Sequence, residues 1–172
     1  MRIIRCAECG EEHDLSGIEP SYRLPDAVLP MSEADREARV RDTKDYCIIY
    51  PEPDGGAPRC FVRGLLPVVI RGQSESLRWG LWVEMGPAAF DRVWNLWDDP
   101  GQRREPPLAC WVANRIKRYP NTLGLPAELQ LESPSTRPTI RLAGGLDHPF
   151  AREALEGVDL PRSLEWRAWH LH

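Results

Sequence analysis

A chain of 172 residues, 42% hydrophobic and 28% charged, holds enough apolar matter for one self-sufficient core and lies outside the low-hydrophobicity, high-charge regime of disorder. Its net charge of -4, without a long basic run, gives counterion release from a nucleic-acid backbone little to act on, so nucleic acid is not an expected partner. The longest apolar run, Leu65 to Ile70, falls far short of a membrane span, and the opening Met1-Arg-Ile-Ile-Arg-Cys6 lacks the apolar stretch of an export signal. A single domain over residues 1–172, cytoplasmic and without membrane contact, is the expectation.

Arg2 to Arg5 reads as a short strand leading into Cys6-Ala-Glu-Cys9-Gly10-Glu-Glu-His13, where Gly10 allows the tight turn that aims two sulfurs at one point. Residues 1–15 are thus expected to form a zinc-knuckle-like turn within the domain. From Asp14 to Pro30, Gly17 and three prolines forbid a long regular element, and the stretch reads as a surface loop. Ser32, with Asp35 three residues on, opens a short charged helix from about Glu33 to Arg41. Tyr46 to Tyr50 is a strand, closed by the turn-rich Pro51 to Pro58.

The centre of the chain is a hairpin over about 60–85. Leu77, Trp79, Leu81, Val83 and Met85 alternate with Arg78, Gly80, Trp82 and Glu84, an apolar period of two. In the first half, Cys60, Val62, Leu66, Val68 and Ile70 share one face, Phe61, Arg63, Leu65 and Pro67 the other, and Arg71 to Ser76 makes the connection. Pro67 has no N–H for a ladder, which marks an edge or a bulge. Pro87 then opens a helix ending near Asp98, with Phe90, Val93, Trp94 and Trp97 on one face, the expected cover for the Leu77 to Met85 face. Strands follow at Leu108 to Ala113, Leu129 to Glu132 and Thr139 to Leu142, then helices over Phe150 to Glu156 and Pro161 to Leu171. Strands in a run with helices at the flanks read as α+β with a largely antiparallel sheet built on the hairpin.

Over nearly its whole length the chain resembles a bacterial family catalogued as domain of unknown function 2199. The stretches that carry the resemblance are Cys6-x-x-Cys9-Gly10-x-x-His13, Asp45-x-Cys47, Phe61-Val-Arg63-Gly64, Trp79-Gly80-x-Trp82-Val83, Asn114 with Tyr119-Pro-x-Thr122, Arg137-Pro138 and Asp147-His148-Pro149. Ala7 stands where such a turn often has proline, and Cys110 precedes Trp111 where glycine is expected. The resemblance implies a bacterial setting and no assigned activity.

Cys6 and Cys9 have the spacing of two ligands to a tetrahedral structural zinc, and His13, Cys47 or Cys60 could complete the set. Reduced unliganded thiols are the plainer reading of five cysteines without an export signal, and a redox pair would want a helix N-terminus that the sequence does not offer here. Asp147 beside His148 could form a base with its orienting carboxylate, though Asp147 reads better as the cap of the following helix. Cys110 as a nucleophile with His148 as base is weighed against a buried strand thiol. Trp82, with Arg63 across the hairpin, either lies under the C-terminal helix carrying Trp166 and Trp169 or lines a binding groove. With no complete catalytic constellation, the expected function is a binding or interaction protein, with another protein as partner, a structural zinc clip (Cys6, Cys9, His13, Cys47) and a binding surface drawn from Arg63, Trp82, Asn114, Tyr119 and His148. The alternative is a small hydrolase with its site near Asn114, Tyr119, Asp147 and His148.

Overall fold

The computed structural model describes residues 3–5, 11–15 and 17–169. Its elements, in chain order, are β1 (Ile3–Arg5), β2 (Glu12–Asp14), α1 (Glu33–Arg39), β3 (Val40–Asp42), β4 (Tyr46–Ile49), β5 (Arg59–Val69), β6 (Ser76–Met85), α2 (Pro87–Leu96), β7 (Leu108–Val112), β8 (Pro126–Gln130), β9 (Thr139–Leu142), α3 (Pro149–Glu156) and α4 (Leu160–Trp169). The class is α+β. β1 and β2 form a separate antiparallel pair, with Arg5 opposite Glu12. The Cys6–Gly10 stretch lies outside the described residues.

β3 to β9 neighbour one another in chain order, every step antiparallel, and β5 meets β9 as well. Four antiparallel steps return the chain to its starting direction, so a contact between β5 and β9 has to be parallel. It is, at Leu65 opposite Thr139. The sheet is largely antiparallel, as expected, but this one parallel contact makes it mixed and closes it into a five-stranded barrel of β5 to β9, with β3 and β4 as a flap. Closure removes two edges that would otherwise offer unpaired backbone groups.

β5 is the strand with a shared edge. Its Arg63 N–H donates to the Asp45 carbonyl (2.9 Å) and its Leu65 N–H to the Pro138 carbonyl (2.8 Å), so β4 hands over to β9 within two residues. N–H groups of like parity point to the same edge, and Pro67, next in that series, lacks its donor where no ladder bond is required. Further on, the Val158 N–H donates to the Val69 carbonyl (2.9 Å). Gly64 makes the handover sterically feasible: a Cβ there would lie 2.7 Å from Ile140 Cγ1 and 3.0 Å from the Pro138 carbonyl oxygen.

The alternation along β5 and β6 sorts the side chains into two clusters. Inside the barrel lie Val62, Leu66, Val68, Trp79, Leu81 and Val83 with partners from β7 to β9, joined by Phe90 and Val93 of α2, Phe150 and Ala151 of α3 and Trp166 of α4. Trp79 meets Phe150 and Trp166 edge-on, with centroids 5.9 and 5.4 Å apart. The outer cluster gathers Val28, Val40, Cys47, Ile49, Phe61, Trp82 and Ala113.

One expected cover differs, and one expected core residue is exposed. Trp82 is fully buried beneath the Pro20–Met31 segment, not beneath α4. Its indole N–H donates to the Tyr22 carbonyl (3.1 Å), while Tyr22 and Gly80 exchange backbone bonds with neighbouring residues on each other's strand, the Tyr22 N–H to the Gly80 carbonyl (2.9 Å) and the Gly80 N–H to the Pro20 carbonyl (2.8 Å). α4 instead places Trp166 against Trp79, inside. Trp94, expected in the core, is 57% exposed, because α2 buries only Phe90 and Val93 fully, and Trp97 rests against Tyr46, centroids 4.6 Å apart. No helix among the described residues is long and apolar enough to cross a membrane.

Closure at Gly64 yields a quantitative test. Gly64→Ala should destabilise the protein by about 1–3 kcal/mol in urea unfolding, since backbone and a β-branched side chain must both give way. Gly56→Ala, where a Cβ meets nothing within 4 Å, should change stability by no more than about 1 kcal/mol, in the stabilising direction. Equal effects of the two would refute the close approach of β9.

Candidate functional site

The side chains singled out from the sequence divide into those spent on holding the fold and those left available. Asn114 follows β7 and is fully buried. Its Oδ1 accepts from the Trp82 N–H (2.8 Å), and its Nδ2 donates to the Leu24 carbonyl (2.9 Å) and Asp26 Oδ1 (3.0 Å). Asp26 in turn accepts from the Arg115 N–H (2.9 Å). Every hydrogen-bonding direction of the amide used here ties the Pro20–Met31 cover to the sheet, so Asn114 is a structural clasp and not part of an open binding surface.

Tyr119 sits on the other side, with Phe150, Trp166 and Trp169. Its hydroxyl donates to Glu153 and accepts from Arg162 Nη2 (2.9 Å) and Trp166 Nε1 (2.9 Å). Burial, then the Glu153 hydrogen bond and charge, push its ionisation upward. One donor and two acceptor sites are all in use. The Arg162 guanidinium lies 4.9 Å from the Trp169 ring centroid and 5.5 Å from that of Tyr119, closing the cluster with a cation.

His148 caps α3: its Nδ1 accepts from the Phe150 N–H (3.2 Å), and its Nε2 faces the Pro120 carbonyl (3.3 Å). The cap expected of Asp147 is thus made by His148, the Asp147 side chain being fully exposed with Arg152 at 3.9 Å. Asp147 and His148 do not form a dyad, and Asn114 and Tyr119 belong to opposite sides of the sheet. The four residues of the hydrolase reading do not converge on one concave surface.

The thiols follow the same division. Cys47 is fully buried in the outer cluster, Cys60 and Cys110 in the inner one, so Cys47 and Cys60 face opposite sides of the sheet and cannot share one ion. Burial pushes the thiols of Cys47 and Cys110 up to about 12 and that of Cys60 upward, the opposite of what a nucleophile needs. His13 has its backbone in β2, opposite Ile4; Cys6 and Cys9 lie outside the described residues. Among the described residues, no group of three or more His, Cys, Asp or Glu side chains is placed to hold a metal ion.

Arg63 alone of the expected surface residues has unspent capacity. Half-buried on the outer face of β5, its Nε is shielded from solvent and has no hydrogen-bond partner. Burial lowers its pKa, as does the charge of Arg137, with Asp45 opposing. Asp45 is already engaged, Arg137 Nε reaching its carboxylate at 2.7 Å. Gly80 leaves room for Ser21 of the cover, whose Cβ would lie 2.7 Å from a Cβ at that position, and Arg63 Nη2 lies within ordinary contact of the same point, at 3.5 Å. Asp45, Arg63, Gly64, Gly80, Arg137 and Pro138, from four of the stretches quoted above, therefore meet where β4 hands over to β9.

Beside this seam opens a cleft of about 450 Å³ lined by Lys44, Asp45, Leu65, Arg78, Trp97 and the 134–137 turn. Of its cations, Arg78 is paired with Glu19 (2.7 Å) and Arg137 with Asp45; Lys44 and the neighbouring Arg63 have no carboxylate partner among the described residues. Two other clefts lack this imbalance. In the one of about 470 Å³ beside α3 and α4, Arg71 donates to the Gly157 carbonyl (2.6 Å) and Arg162 pairs with Glu153 and Glu165. In the one of about 410 Å³ near Trp111, Arg59 and Glu84 form a bidentate pair at 2.7 Å.

Lys44, Arg78 and Trp97 were not among the site residues read from the sequence. The alternation on β6 puts Arg78 on the Arg63 face, which was legible; the meeting with Arg137 depends on barrel closure, which was not.

The family model described as "Uncharacterized protein conserved in bacteria (DUF2199)" matches residues 5–158, and the chain belongs to that family. No curated protein and no solved structure matches it.

The buried groups fix the response to alkali. Cys47, Cys110 and Tyr22, all pushed to about 12 chiefly by burial, stay protonated in the fold, while in the unfolded chain thiols ionise near ~8.5 and tyrosines near ~10. Above about pH 9 the unfolded state binds fewer protons, so unfolding free energy should fall as pH rises. At pH 8 a thiol reagent should leave Cys47, Cys60 and Cys110 unmodified in a Cys6→Ser/Cys9→Ser variant until urea unfolds it. Labelling of the folded variant would contradict this burial.

Proposed function

We propose that this member of an uncharacterised bacterial family is a binding protein that holds an anionic group, on a small molecule or on a partner protein, at the seam beside Arg63. The observation that carries this reading is the Arg63 guanidinium, half-buried, next to a second arginine, with its Nε unpartnered. An uncompensated charge in such a place lowers stability. Arginine offers a planar fork matched to carboxylate and phosphate oxygens. A bound anion would neutralise it, and the adjacent Lys44 adds a second free cation.

The hydrolase alternative draws no support from the geometry, because the hydroxyl of Tyr119 and both ring nitrogens of His148 already have partners in the fold. The structural zinc clip remains part of the proposal, carried by Cys6, Cys9 and His13. In support, β1 and β2 pair so that Arg5 stands opposite Glu12, and the two strands that flank residues 6–11 are thus side by side, as a knuckle requires. Cys47, sealed in the outer cluster, contributes packing.

Two measurements test these readings. Inorganic phosphate should raise the melting temperature of the protein in a saturable way. Arg63→Met should abolish that rise while leaving the ligand-free protein as stable as before or more so, by about 1 kcal/mol. A phosphate response that survives in Arg63→Met, or is missing from the parent, would sink the anion reading. For the clip, protein purified without added zinc should retain close to one equivalent by elemental analysis, and Cys6→Ser should lose it. Retention below about a tenth of an equivalent would remove the clip.

A further inference from the structure

The seam cleft is far roomier than a bare anion needs: about 450 Å³ falls within the range of ~300–1,000 Å³ typical of sites for organic ligands. Its lining joins two kinds of side chain. Lys44, Arg78 and Arg137 are cationic, with Arg63 adjoining, and Leu65 and Trp97 are apolar.

Trp97 is held in place rather than merely exposed. Its carbonyl accepts from the buried Gln102 side chain (2.7 Å), its N–H donates to the Trp94 carbonyl (3.4 Å), and its ring leans on Tyr46 at 60°. The Tyr46 hydroxyl is itself buried without a partner. Burial, with the charges of Asp45 and Asp98, resists its ionisation, so it keeps a proton to donate. An indole held in this way, in one lining with Lys44 and Arg137, suits a ligand that carries an aromatic ring and an anion on one small frame. Exposed Trp94, on the same helix, does not line the cleft.

Resting on the anion-binding reading above, we infer that the seam cleft is the receptor for a small aromatic phosphate or carboxylate, its anionic group held by Arg63 and Arg137 and its ring laid against Trp97.

The test uses the full chain and four anionic probes, inorganic phosphate, propyl phosphate, phenyl phosphate and benzoate, titrated by calorimetry. Phenyl phosphate should bind at least about tenfold more tightly than propyl phosphate, the order of a ring-stacking contribution. Phenyl phosphate against benzoate identifies which anion the cationic side chains prefer. Trp97→Leu should reduce the phenyl-to-propyl ratio to about one and leave inorganic phosphate unaffected; Trp94→Leu should leave the ratio intact. Should Trp97→Leu not fold, saturation transfer in the parent protein reads the same contact, from the Trp97 indole protons to those of the phenyl ring. Equal affinity for phenyl and propyl phosphate, or no transfer from Trp97, overturns the ring seat while the anion reading stands. Failure of inorganic phosphate to bind overturns that reading itself.

Discussion

The closure of the barrel at Leu65 and Pro138 is the constraint on which the rest of the architecture depends. Five strands joined by antiparallel neighbours can close only through a parallel contact, and this one is short, a single registered pair at Leu65 and Thr139. It is feasible because Gly64 has no side chain to hold Ile140 and Pro138 away. Once closed, the barrel has an inside into which Trp79, Leu81 and Val83 point, and the helices after β6 and β9 have a body to pack on. The energy lies mostly in that apolar interior; the seam decides whether the interior exists.

Closing a sheet leaves its outer face to be covered, and the chain does this with an irregular segment in place of a second layer of regular structure. Pro20 to Met31 has too many prolines for more than a single 3-10 turn at Asp26–Val28, yet its backbone groups are not left unpaired. Gly80 and Asn114 receive them: the first through main-chain bonds to Pro20 and Tyr22, the second through an amide that reaches Leu24 and Asp26. A buried amide used in this way is costly to replace, because removing it strands several partners at once. The same economy explains His148 and Tyr119, whose polar atoms are engaged by a helix end and by α4.

What was legible in the sequence follows from range. Period-two alternation placed β5 and β6 and sorted their faces, since that information is local to a strand. The N-cap at Ser32, the proline opening α2 and the α+β class follow from local signals of the same kind. Most misplaced features depended on which distant segment covers which face. Trp82 and Trp94 have similar hydrophobic appeal, but one lies under Pro20–Met31 and the other on a helix that buries a narrower stripe than its spacing suggested. His148 took the cap from Asp147 because an imidazole Nδ1 can accept the Phe150 N–H as a carboxylate would. Arg63 was visible as a charged residue on an alternating strand, while its lack of a partner was not, because the nearest carboxylate, Asp45, is claimed by Arg137 from the far end of the sheet.

The seam joins architecture and binding through one consequence of closure. Where β4 ends and β9 begins, the edge of β5 changes partners, and the strand ends that meet there carry Asp45 and Arg137, whose ion pair straddles the handover. That pair consumes the one carboxylate that lines the cleft among the described residues and leaves Arg63 beside a second cation. An anion seated between Arg63 and Arg137 would contact residues from β5 and from the approach to β9, and so act across the parallel contact where the ladder is thinnest. Binding and closure are then linked quantities: a ligand that favours the closed seam stabilises the barrel by its own binding free energy, and a tighter seam presents the arginines better arranged to bind it.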